Sequence, residues 1–182
     1  MAIATLLTID DYELLPSELA EGHELVDGEL VDVSGNNPEH NGLRDYLLQL
    51  LRPIVLDRKL GWLFAEQEYD FDGTAHGPDI SFFGNGKIPL LLRKKRVQRF
   101  VPDFAIEIAS PSDTHEGLLR KMNRYRRCGT QEVWLASPEA EEVDVYSDRR
   151  NLILRGRDLL ETELIPGFSI AVGDLFKRGL PQ

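Results

Sequence analysis

Two acids set in apolar strands, Asp79 in GPDISFF and Glu107 in VPDFAIEIAS, are the residues whose placement most needs a chemical reason. Burying a lone charge is costly unless it is paired or coordinates a metal. Hard oxygen ligands of this kind suit Mg²⁺ or Mn²⁺, and the competing reading is a structural ion pair. Alternation puts Phe104, Ile106 and Ile108 on one face of the second strand, and Asp103, Ala105, Glu107 and Ala109 on the other. Asp103 and Glu107 lie about 13 Å apart at roughly 3.3 Å per residue. They cannot easily share one Mg²⁺, whose ligand distances are about 2.0–2.1 Å. Glu107 therefore needs a partner on a neighbouring strand, and Asp79, at a strand entrance just after Gly77-Pro78, is the best candidate. Asp103 is kept as a strand-end group and a minor candidate ligand. Lys121 lies between Leu118 and Tyr125 on the helix that follows, bordering its inward stripe, so it can lean back towards the sheet.

Other chemistries find little support. The sequence contains no G-x-S-x-G elbow, and Cys128 falls at a helix end with no histidine near it in sequence. There is no P-loop, no G-x-G-x-x-G and no zinc-type Cys/His set. A single cysteine excludes an internal disulfide and fits a reducing, cytoplasmic compartment. The apolar run Ala2 to Ile9 has no basic flank and meets Asp10, Asp11 and Glu13 at once, so neither a signal peptide nor a membrane span is expected.

The elements that must position these residues can be read in order. Thr8 can cap a short helix to about Leu15, ended by Pro16 and Ser17. HELVDGELVDV, from His23 to Val33, is a hairpin turning on Asp27-Gly28. Asn37 and Pro38 start a long helix to about Arg58, with His40 in its first turn and Leu43, Leu47, Leu50, Leu51 and Ile54 repeating along it. WLFAEQEYDF is expected as one strand after Gly61. Gly84 to Arg99 is a loop or short helix. Asp113 and Glu116 have capping-box spacing for a helix to Cys128, with Gly129 behind it. Strands follow at Gln131 to Ala136, Glu142 to Tyr146 and Leu152 to Leu154, and a helix near Val172 to Lys177 closes one domain, residues 1–182.

Charge is uneven. The chain carries −10 overall, yet Gly84 to Cys128 holds eleven Lys/Arg against four acids, leaving −17 on the remainder. A basic centre in an acidic chain is a footprint for a phosphate-bearing partner, or else a solvated helix face and loop. Arg93, Lys94, Lys95 and Arg96, with Arg120 and Arg124 on the helix, are the residues placed to hold a nucleic-acid backbone without reading sequence.

GPDISFF, VPDFAIEIASPSD, the K-x3-Y-x3-G spacing of Lys121, Tyr125 and Gly129, and the EVWLASPE strand together resemble the restriction-endonuclease-like PD-(D/E)XK superfamily. More closely, the chain is similar to the Uma-two family, and HELVDGELV and IPGFSI extend the likeness over nearly its whole length. The resemblance implies an α/β (α+β) fold, a mixed central sheet flanked by helices with additional antiparallel strands. It also implies metal-dependent phosphodiester cleavage on DNA, with Mg²⁺ (or Mn²⁺) held by Asp79 and Glu107. Ala109 stands where the superfamily usually has its lysine, and Lys121 is the natural migrated replacement, orienting or helping to deprotonate the water. Glu24 and His40 match recurrent family positions and could complete the acidic cluster, with Asp103 and Tyr125 in support. A nucleic-acid-binding or assembly module that keeps the fold without turnover is the alternative, and a metal-dependent hydrolase of another phosphoester is a third. The superfamily's habit of pairing subunits, with an apolar β-rich tail from Val143 to Ile170, points to a homodimer.

Overall fold

The computed structural model describes residues 6–33 and 37–179. The apolar run from Ala2 and the ends of the 1–182 domain lie partly outside the described residues. Thr8 caps helix α1 (Ile9–Glu13) with a capping box, its hydroxyl accepting the Asp11 N–H and the Asp11 carboxylate accepting the Thr8 N–H. This helix stops at Glu13, short of Leu15. Pro16 then leads a second short helix, α2 (Ser17–Ala20), rather than only ending the first, because its fixed φ suits a helix start. Asp27 and Gly28, with φ of 51° and 87°, form the tight turn joining β1 (His23–Val26) to β2 (Glu29–Asp32).

Asn37 accepts the His40 N–H at 2.8 Å and Pro38 takes the first position of α3 (Pro38–Asp57), which continues past Pro53 to Asp57. The run expected as one strand is broken. It forms β3 (Gly61–Ala65) and β4 (Glu68–Asp70), which belong to different sheets. Glu66 takes a left-handed φ of 53° at the break, and its N–H donates to the carbonyls of Pro78 and Asp79. A turn made by Glu66 and Gln67 carries no glycine or proline, so the sequence offers no breaker there.

Next come β5 (Ala75–His76), β6 (Ile80–Gly84), a 3₁₀ turn over Asn85–Leu90, β7 (Val97–Gln98) and β8 (Phe104–Ile108). Helix α4 (His115–Arg127) is capped by Thr114, which accepts the Gly117 N–H at 3.1 Å, and not by Asp113. Asp113 instead folds back and accepts from the Ser110 N–H and hydroxyl. The rest of the chain supplies β9 (Glu132–Ser137), β10 (Glu142–Ser147), β11 (Asn151–Arg155), β12 (Leu159–Glu161), β13 (Ser169–Ala171) and α5 (Val172–Gly179).

A mixed six-stranded sheet runs β11-β10-β9-β8-β6-β3, parallel only between β8 and β9. A second sheet runs β2-β1-β5-β4-β7, and β12 pairs with β13. The alternation of β8 decides the layers. Phe104, Ile106 and Ile108 face a core shared with Leu43, Leu47 and Leu51 of α3 and with Leu175 and Phe176 of α5. Ala105 faces the other way, among Met122 and Tyr125 of α4 and Tyr69 and Phe71 at β4. A third cluster, with Ile9, Tyr12, Leu25, Ala75 and Val97, seats α1 on the second sheet. Burial on both faces is what makes a strand like FAIEI stable, and it is also what encloses Glu107.

Asp103 forms a structural clasp. Its carboxylate accepts from Lys87 Nζ at 2.6 Å, the Gly84 N–H at 2.8 Å and Gln131 Nε2 at 2.9 Å, tying β6, the 3₁₀ turn and the approach to β9 together. It does not line the cavity that holds Asp79 and Glu107. Asp103→Ala should lower the unfolding free energy by about 1–3 kcal/mol, since three donors lose one acceptor. Denaturant unfolding measures this, and a loss of under a few tenths would remove the clasp from the account.

Candidate active site

Asp79 immediately precedes β6, where the pairing Ile80↔Ile106 brings the start of β6 beside the end of β8. Extending that register by one residue sets Asp79 across from Glu107. The Asp79 carboxylate is fixed at both oxygens: Oδ1 lies 3.0 Å from His40 Nε2, and Oδ2 accepts the Ile108 N–H at 2.7 Å. His40 can reach it because the Asn37 cap and Pro38 aim the first turn of α3 at this strand entrance. Burial opposes charge on His40, but its hydrogen bond to Asp79 and that carboxylate's charge outweigh this and raise its pKa.

Glu107 Oε1 accepts from Tyr125 Oη at 2.7 Å and Oε2 from Lys121 Nζ at 3.0 Å. One helical turn separates the two donors on α4, so a single helix face delivers both. Lys121 Nζ also lies 3.2 Å from Glu24 Oε1, and so bridges β8 of one sheet to β1 of the other. Glu24 is held in turn by the Gly77 N–H at 2.9 Å and His76 Nδ1 at 2.7 Å.

These contacts set the charges. Burial works against the Glu24 carboxylate, yet Lys121, His76 and the Gly77 N–H pull its pKa down to about 2. Burial pushes Glu107 up, and the like charges of Asp79 and Glu24 add to this in spite of Lys121, taking it to about 8. Burial would discharge Lys121, but Glu107, Glu24 and Asp79 raise it above its ordinary value, so it stays an ammonium. His76 is pushed down by burial and is neutral, which leaves its Nδ1–H to donate to Glu24.

Glu24, His40, Asp79, Glu107 and Lys121 all line one open cavity of about 670 Å³. Its described lining holds eight carboxylates (Glu21, Glu24, Asp32, Glu66, Glu68, Asp79, Glu107 and Asp113) against the permanent cations Lys121 and Arg96. Of the other basic candidates, Lys95 pairs with Glu13, Arg120 with Glu116, and Arg124 with Asp27 and Thr74. Arg93 and Lys94 are exposed, and Arg96 lies over the Tyr12 ring at 5.0 Å. Sequence reasoning missed His76, Gly77 and Glu68. Glu68 is pushed up to about 7 by burial, with Tyr12 Oη donating to it at 3.1 Å. A histidine and a glycine just before Pro78-Asp79 were the available signal.

The donor set fits a hard divalent cation. Each Asp79 and Glu107 oxygen has one partner and therefore a lone pair to spare. The repulsion that raises Glu107 is charge a cation would relieve. No three His, Cys, Asp or Glu among the described residues form a metal-holding group. Mg²⁺ needs only one or two carboxylates, with water and phosphate completing its shell.

The raised Glu107 carboxyl has a consequence for stability. Its folded value of about 8 exceeds the ordinary 4.5, so its contribution is full below 4.5 and is lost as pH rises to about 8. Glu107→Gln cannot ionise, and should gain stability relative to the parent between about pH 5 and pH 8 without divalent cations, by at most about 1.4 kcal/mol per pH unit. Denaturant unfolding in chelator at both pH values reads the difference, and a pH-independent offset would contradict the assignment.

Comparison with known proteins gives the chain's fold likeness and its family. A crystal structure described as "a putative nuclease belonging to DUF820", from Anabaena variabilis ATCC 29413, superposes with a TM-score of 0.84 at 23% identity, covering 96% of this chain and 99% of that one. At that identity the likeness speaks for the fold. No curated protein matches the chain. The family model described as "Uma2: Putative restriction endonuclease" matches residues 9–173. That match spans the whole region from α1 to the start of α5, including every residue of the site, and this chain therefore belongs to the Uma2 family.

Proposed function

We propose that this protein is a divalent-metal-dependent nuclease hydrolysing phosphodiester bonds, an endonuclease acting on DNA in the cytoplasm, with residues 1–182 as one domain. The observation that carries the reading is Asp79 and Glu107 at adjacent antiparallel strand ends, facing one cavity, with Lys121 laid on Glu107 from α4. Membership of the Uma2 family supports it. Asp79 and Glu107 are the residues that would hold Mg²⁺ or Mn²⁺. When bound, such an ion supplies Lewis acidity and a water of lowered pKa.

The protein's own groups do the positioning. His40 and the Ile108 N–H fix Asp79, and Tyr125 fixes Glu107, so both carboxylates are held before substrate arrives. Lys121, kept protonated by its acid neighbours, serves as donor and charge towards a phosphate oxygen rather than as the base. Arg96, which lines the cavity, and the exposed Arg93 and Lys94 beside it in sequence are the cations that would contact phosphate without reading bases. The family resemblance and the exposed edge strand β11, with Leu152 and Ile153 outward, support a homodimer.

In Mg²⁺ or Mn²⁺ the protein should nick or cleave plasmid DNA, and Asp79→Ala and Glu107→Ala should each reduce cleavage by at least about 10²-fold. Undiminished cleavage in both variants would sink the site, and a parent that binds but never cuts DNA would favour a binding module. For the dimer, light scattering at micromolar concentration should give twice the chain mass of 20.7 kDa. A mass of one chain would refute it.

A further inference from the structure

Glu24 and His76 are buried, and both sit on the second sheet, away from the pairing of Asp79 with Glu107. Every strong contact of the Glu24 carboxylate is a donor: Gly77 N–H and Lys121 Nζ at Oε1, His76 Nδ1 at Oε2. Two hydrogen bonds and an ion pair therefore engage both oxygens, and the group has little left to offer a cation. Lys121 gains a second anchor. An ammonium has three N–H donors; Glu107 takes one in a hydrogen bond, Glu24 holds the ammonium in an ion pair at 3.2 Å, and donor capacity remains for the cavity that Lys121 lines. A lysine held by Glu107 alone could swing about that single contact on its flexible four-carbon stem.

We propose that Glu24 and His76 are positioning residues of this site: His76 and the Gly77 N–H lock the Glu24 carboxylate, and the Glu24 ion pair with the Glu107 hydrogen bond fixes Lys121 so that a free N–H of its ammonium faces the substrate phosphate. The inference rests on the nuclease reading for the word substrate, but the locking of Lys121 is a property of the protein alone. The His76 ring also packs near Phe71 and Tyr125, with centroids 6.1 Å and 5.7 Å away. Packing and hydrogen bonding can therefore be separated by substitution. His76→Phe keeps an aromatic ring and loses the donor, while His76→Asn loses the ring and keeps an N–H near the place of Nδ1.

The experiment has three readouts on the full chain. On DNA in Mg²⁺, His76→Phe and Glu24→Gln should each lower kcat by about 10–100-fold, as groups supporting a site typically do, with KM and Mn²⁺ affinity within about twofold of the parent. His76→Asn should recover most of the loss. The double variant should be no worse than Glu24→Gln alone, because His76 acts through Glu24. Without metal or DNA, relaxation of the Lys121 side-chain Cε and Nζ should show greater mobility in His76→Phe and Glu24→Gln but not in His76→Asn. A His76→Phe variant with the parent's kcat, multiplying losses in the double variant, or an equally rigid Lys121 in all would overturn the proposal. If the parent cleaves no DNA, the nuclease reading falls and the Lys121 relaxation still decides the lock.

Discussion

One shared ammonium holds this site together. Lys121 lies between carboxylates that belong to different sheets, Glu107 on β8 and Glu24 on β1, and α4 brings it to their junction. Such an arrangement is poor value as a source of stability, since desolvating charges costs about what their attraction returns. It does specify geometry, because a half-satisfied version would leave a buried charge with no partner. The surrounding donors follow from that constraint. Tyr125 satisfies the second oxygen of Glu107, while His76 and Gly77 complete Glu24. With two carboxylates and one ammonium at the junction, and Asp79 beside them, negative charge is in surplus, and the surplus falls on Glu107.

Asp79 is secured independently, from the six-stranded sheet and α3. Its oxygens are held by the next strand's Ile108 N–H and by His40, and its own carbonyl accepts from Glu66 at the break between β3 and β4. That break does two jobs. It lets β4 leave for the second sheet, and it pins the segment before β6 so that Asp79 enters the strand at a set place. Gly77 contributes to the same close fit, since a Cβ there would sit 3.3 Å from the Glu66 carbonyl oxygen. The two candidate metal-holding carboxylates are thus positioned by different sets of donors, joined through Gly77 and through Ile108 beside Glu107. Groups carried on strand ends and braced this way are held more precisely than groups on loops.

Where local periodicity governs, the residues could be read directly. Alternation put Glu107 on the face of β8 opposite Phe104, Ile106 and Ile108, strand spacing separated it from Asp103, and helical spacing brought Lys121 and Tyr125 to the same side of α4. The hairpin at Asp27-Gly28 and the Asn37-Pro38 helix start were equally plain, because each depends on a backbone conformation that few residues favour. What failed was decided between elements. Glu24 and His40 entered only through family resemblance, since nothing within β1 or α3 says that they converge on Asp79 and Lys121. His76 sits on a two-residue strand, too short for any pattern. The split of residues 61–70 was invisible because Glu66 adopts a left-handed conformation without a glycine. At α4 two adjacent residues could cap, and the hydroxyl of Thr114 did so while Asp113 turned to Ser110.

The charge pattern takes on a different meaning once the contacts are known. Much of the basic surplus between Gly84 and Cys128 is spent inside the protein: Lys87 on Asp103, Arg99 on Asp10 and Asp70, Arg124 on Asp27, Arg126 on Asp148. The cavity itself is ringed by carboxylates. Paired cations of this kind project little field beyond a Debye length of about 10 Å at 0.1 M salt. On the nuclease reading, a chain of −10 would then meet a polyanion with only a few exposed basic side chains to draw it in. On that reading, a divalent cation held by Asp79 and Glu107 would change that balance where it matters, offsetting negative charge that repels a phosphate. Cation and substrate would therefore reinforce each other's binding, and the acidity of the walls would keep DNA out of the cavity until the cation had arrived.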